Sequence, residues 1–176
     1  MESKLEKAVI LNDLKTGITG AERIYFGNEF CENLIPAIAG LKKFYTFTVS
    51  RRKKFTFLTP FVTNTGLKKL ENLLSFLDTR HDVEVVFNDW GVFELIKERF
   101  PNLQPVLGRL LTTQRRDPRM LKIFNDKRKF LVIPSRDGKE RNIFFHKETP
   151  PSLFEHYQAS LVNLPVFQEY LLSLGI

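Results

Sequence analysis

Two polar side chains, Asn88 and Asp89, follow directly on the apolar run Val83-Glu84-Val85-Val86-Phe87, and four arginines, Arg109, Arg115, Arg116 and Arg119, crowd the segment from Gly108 to Arg119. Guanidinium groups are planar forks matched to carboxylate and phosphate. An asparagine amide both donates and accepts, and an aspartate accepts. Together these six side chains suit the binding of an anionic small molecule or substrate. Asp89 is also well placed to cap a following helix, where free backbone N–H groups would keep it ionised and a poor acid catalyst. Asn88 would serve equally as a turn residue. No Ser-His-Asp or Cys-His spacing, phosphate-binding loop or GxGxxG is present, so no catalytic residue is assigned.

The elements that must position these groups follow from periodicity. Val83 to Phe87 reads as a strand, and Phe93, Ile96 and Phe100 then share a helical face. This is a β-to-α unit, and in α/β folds ligands collect at the carboxyl ends of the strands. The same order recurs at Lys54 to Phe61, where Thr63 or Asn64 can cap a helix striped by Leu70, Leu73, Leu74 and Leu77. Pro105 to Leu111 forms the next strand, with the arginine-rich loop leaving its end.

Arg23 to Gly27 is a strand, and Ala8 to Leu11 a weakly marked one. Cys31, Leu34, Ile35 and Ile38 recur at helical spacing, predicting a helix over 28–41 that Pro36 either kinks or starts late. Phe44 to Val49 is rich in Phe, Thr and Val, and with Lys54 to Phe61 it forms either a hairpin or an edge extension, joined through Arg51-Arg52-Lys53-Lys54. Asp137-Gly138 between two apolar runs signals an antiparallel hairpin insertion over about 129–146. Ala159 to Asn163 reads as a short strand, and Phe167, Tyr170, Leu171 and Leu174 as a last helix ending at Gly175.

The expected fold is a single α/β domain over residues 1–176, built on a parallel barrel-like sheet with that hairpin inserted. The 176 residues are too few for an eight-unit barrel of about 250. The sheet is therefore open, or it is the front portion of a longer barrel that a partner chain could complete.

Bulk composition narrows the class. At 43% hydrophobic and 27% charged residues the chain is globular rather than disordered, and most of its 17 Phe belong in the core. No apolar run of about 18 residues predicts a membrane span, and no signal-peptide pattern opens the chain, so a cytoplasmic location is expected. A single cysteine, Cys31, and three scattered histidines exclude the common zinc sites and an iron–sulfur cluster held by this chain alone. The formal charge of +7, partly gathered in the knots at Arg51–Lys54, Arg115–Arg119 and Lys127–Lys129, favours anionic partners, RNA among them.

The segments 24–31, 59–63, 87–92 and 108–119, in that order and with 159–163 before the last helix, resemble the U32 peptidase-like family. Its members are collagenase-like peptidases and oxygen-independent hydroxylases. The resemblance implies a barrel-like α/β fold with its site at the strands' carboxyl ends, and in many members a four-cysteine iron–sulfur site. This chain lacks those cysteines and so departs from the family there. Three readings are carried forward: a U32-like ligand-binding domain, a basic RNA-binding module, and an inactive truncated remnant of a longer enzyme.

Overall fold

The computed structural model describes residues 6–15, 17–113, 130–134, 137, 140–144 and 160–176. Five strands, β1 (Ala8–Ile10), β2 (Arg23–Gly27), β3 (Lys54–Leu58), β4 (Val83–Phe87) and β5 (Gln104–Leu107), form one sheet in the order β1-β2-β3-β4-β5. Every pairing is parallel. Helices α1 (Ile38–Ser50), α2 (Asn64–Asp78) and α3 (Trp90–Arg99) connect β2 to β5 in turn. Crossovers between parallel strands are right-handed, so stepping always in one direction deposits all three helices on one face. This is the winding of successive β/α barrel units, here open, with β1 and β5 as its edges among the described residues.

Aromatic packing identifies the covered face. Phe44 of α1 stacks on Phe26 at 3.9 Å, Tyr45 meets Phe55 edge-on at 5.4 Å, and Phe93 of α3 lies 4.9 Å from Phe87. Helix α2 fills the space between α1 and α3 with Leu70, Leu73, Leu74 and Leu77, all buried. Each such side chain contributes about 1.5–3 kcal/mol on burial. The opposite face carries the alternate residues. One row across it is Ile10, Tyr25, Thr56, Glu84 and Gln104, and the next, toward the carboxyl ends, is Gly27, Leu58, Val86 and Val106.

Three expectations need correction. The helix predicted over 28–41 is instead a 3-10 turn at Glu32–Leu34 followed by α1 from Ile38. Asn28 Oδ1 accepts from the N–H groups of Phe30 and Cys31 at 2.9 and 2.8 Å, diverting donors a helix would need, and Pro36 then lies outside the helix. The Phe44–Val49 segment is neither hairpin nor edge strand; it is the second half of α1. Its β-branched residues disfavour helix by well under about 1 kcal/mol each, which burial of Phe44 outweighs. Thr48 adapts by donating its hydroxyl to Phe44 O at 2.8 Å. Finally, no strand forms at 160–163: Ser160 makes an isolated bridge before a 3-10 turn, Leu161–Asn163.

By chain contacts the protein divides into two compact units, Met1–Leu111 with Gly175–Ile176, and Thr112–Leu174. In the second, β6 (Phe130–Pro134) and β7 (Glu140–Phe144) pair antiparallel, giving the hairpin that Asp137-Gly138 signals. The same unit includes helix α4 (Pro165–Leu174). No helix of the described residues is long and apolar enough to cross a membrane.

Candidate functional site

At the carboxyl ends of the strands the exits of β2, β3, β4 and β5 are tied together by side chains. Asn88, the first residue after β4, is fully buried. Its Nδ2 donates to Thr59 O at 2.9 Å and its Oδ1 accepts from Leu110 N at 3.1 Å, so one amide joins three neighbouring strand exits. Gly108 allows the close approach: a Cβ there would overlap Asn88 Oδ1 and Phe87 O. Gly27 ends β2 at φ +125°, with Leu58 O where a Cβ would stand. Asp89 caps α3, accepting from Gly91 N at 2.7 Å through Oδ1, while its Oδ2 accepts from Val62 N at 3.2 Å. The carboxylate of Glu32 accepts from the N–H and hydroxyl of Thr63, at 2.7 and 3.0 Å. These hydrogen bonds hold its pKa below the ordinary carboxylate value.

This stapled rim borders an open concavity of about 440 Å³ on the helix-free side of the first unit. Its apolar floor is Ile10, Leu58, Val86, Val106 and Leu107. Tyr25, Glu29 and Arg109 supply the polar groups. Arg109 Nη2 contacts Glu29 Oε2 at 2.6 Å, and its guanidinium lies 4.7 Å from the centre of the Phe30 ring. The Arg109 side chain is 63% exposed and that of Glu29 11%, so the acid acts as a recessed anchor for an accessible cation. Burial raises the Tyr25 pKa, keeping the phenol protonated as a donor at neutral pH.

Below this layer, toward the amino ends of the strands, lies a charged network. Arg23 donates to Glu84 at 2.6 Å and to Thr56 Oγ1 at 2.9 Å, and its Nε sits 3.3 Å from Glu6. Lys54 reaches the same Glu6 oxygen at 3.1 Å. The Lys54 hydrogen bond leads the causes that lower the Glu6 pKa, with the charge and hydrogen bond of Arg23 assisting.

Of the six residues expected to contact a ligand, Arg109 lines the concavity. Asn88 and Asp89 lie at the same rim, but both side chains are engaged in holding loops, and Asn88 offers no surface. Arg115, Arg116 and Arg119 lie outside the described residues. Tyr25 and Glu29 are the lining residues that reading the sequence missed. The available signal for Tyr25 was strand alternation, which sets it on the face opposite Ile24 and Phe26; Glu29 lies two residues beyond the end of β2.

Among the described residues no group of three or more His, Cys, Asp and Glu side chains could hold a metal ion. The four-thiolate set that the U32 resemblance implies does not fit, because Cys31 is the one cysteine of the sequence. Among the described residues the lining offers an exposed cation, a recessed acid, a protonated phenol and an apolar floor. The first unit is thus an open β/α sheet domain with an apolar-floored concavity toward the carboxyl ends of its strands. Comparisons with protein-family models, with curated proteins and with solved structures find no match for this chain.

Proposed function

We propose that the chain is a U32 peptidase-like domain that binds a small molecule carrying a carboxylate or phosphate group on a short apolar body. The observation that supports this reading most directly is the Arg109–Glu29 pair set over an apolar floor at the carboxyl edge of a parallel sheet. Arg109 receives the anion, Tyr25 donates a hydrogen bond, and Leu58, Val86 and Val106 receive the apolar part. The four sequence segments quoted for the resemblance lend the family assignment.

Calorimetric titration of the whole chain with a panel of small carboxylates and phosphate monoesters tests it. Losing hydrogen bonds to a charged group costs about 1.5–3 kcal/mol, so Arg109→Ala is expected to weaken binding by about 10- to 100-fold. Its melting temperature should fall by a few degrees, because Glu29, whose side chain is 11% exposed, loses its ion-pair partner; affinities are therefore compared at a temperature where both chains are folded. Equal affinity in the variant, or no binding by the native chain across the panel, overturns the proposal.

A further inference from the structure

We infer that the groove between α1 and the carboxyl-terminal end of α2 forms a binding surface for single-stranded nucleic acid, separate from the concavity. Because each helix runs back to start the next strand, the α1–β3 and α2–β4 turns both lie at the amino-terminal edge of the sheet, the end away from Arg109. Between the two helices runs a groove of about 310 Å³ lined by Lys42, Tyr45, Thr46, Phe76 and Arg80. Tyr45 and Phe76, both partly exposed, meet edge-on at 5.9 Å. Over the Phe76 ring stand two cations, the Arg80 guanidinium at 4.6 Å and Lys42 Nζ at 5.4 Å. At the end of α1 the Arg51 guanidinium covers Phe47 at 3.7 Å and donates to Phe47 O, and exposed Arg52 follows it.

Neither Lys42 nor Arg80 forms an ion pair among the described residues. The nearby Asp78 is engaged with Asn102, accepting from its backbone N–H at 2.9 Å. Two cations over one ring, Lys42 from α1 and Arg80 from the turn that follows α2, suit an oxyanion. Cations resting on partly exposed rings can turn to a phosphate oxygen, and the ring surface they leave can then take a base. The groove is lined by ring and cation rather than by aliphatic side chains, which favours a polynucleotide over insertion into a lipid surface.

Fluorescence anisotropy of the intact chain with a labelled uridine-rich RNA of about 20 nucleotides, titrated between about 50 and 200 mM salt, tests this. The native chain should bind with an affinity that falls as salt rises. Replacing both Lys42 and Arg80 by Ala should weaken binding at low salt at least tenfold and, for two lost phosphate contacts, make the log–log salt slope shallower by about 1.4. Single K42Q and R80Q variants, each expected to remove about half of that slope, keep the test independent of how the double variant folds. Arg109→Ala should bind RNA as the native chain does. Undiminished binding in the double variant overturns the inference, as does a native chain that binds phosphatidylserine vesicles but not the oligonucleotide.

Discussion

Asn88 shows how a residue chosen for its chemistry can be committed to architecture. Its amide spans the ends of β3, β4 and β5, where no regular backbone ladder satisfies Thr59 O and Leu110 N. Replacement by Ala would leave Thr59 O without its partner in a buried site and Leu110 N without its partner in a part-buried one. At about 1–3 kcal/mol for each buried group left unsatisfied, Asn88→Ala should destabilise the chain by about 2–4 kcal/mol, read as a lower urea midpoint. A change under about 0.5 kcal/mol, the size of an ordinary surface substitution, would show that the amide holds nothing. The sequence revealed that a polar residue follows β4. It did not reveal that Asn88 faces inward, because that depends on Gly108 letting a neighbouring strand approach.

Among the elements, the corner between β3 and α2 is the most instructive. Thr63 caps α2 as its position predicts, but its hydroxyl and N–H are held by Glu32, which belongs to the loop after β2. Those hydrogen bonds depress the Glu32 pKa in the folded chain. A depressed folded value stabilises above the unfolded carboxylate range and ceases to do so as pH falls through the folded value. Native protein should therefore be more stable than Glu32→Gln at neutral pH, and the gap between their urea midpoints should close as pH falls below the ordinary carboxylate range. A gap independent of pH would place the effect in packing rather than charge. Elements β2, β3, β4, α2 and α3 were legible because their apolar spacing and caps agree. Helix α1 was not, since Phe44 to Val49 carries β-favouring side chains and it is tertiary burial, of Leu41, Phe44 and Thr48, that favours the helix.

For the molecule as a whole, repeated right-handed crossovers in one direction leave the sheet with two unlike faces. One is aromatic and aliphatic beneath α1, α2 and α3; the other bears Arg23, Thr56 and Glu84 below the apolar floor of the concavity. The Arg23 side chain is 9% exposed and that of Glu84 22%. Removing Arg23 strands Glu84 in a largely desolvated layer. Arg23→Ala should accordingly cost about 2–4 kcal/mol, at the lower side of buried pairs because Glu84 keeps some access to water. In a double-mutant cycle with Glu84→Gln most of that loss should be shared, and strictly additive losses would argue against coupling.

By itself the sequence determined the class of the fold, the strand-to-helix order around Asn88 and Asp89, the hairpin about Asp137-Gly138 and the shortage of cysteine ligands. These are properties of local spacing, turn chemistry and composition. Only the tertiary structure decided that Tyr25, Glu29 and Arg109 meet over one floor, that Arg23 pairs with Glu84 across β3, and that Lys42 and Arg80 converge on Phe76. Each of those meetings depends on parallel register or helix packing between residues far apart along the chain. Periodicity assigns a side chain to a face; pairing and packing choose its partner.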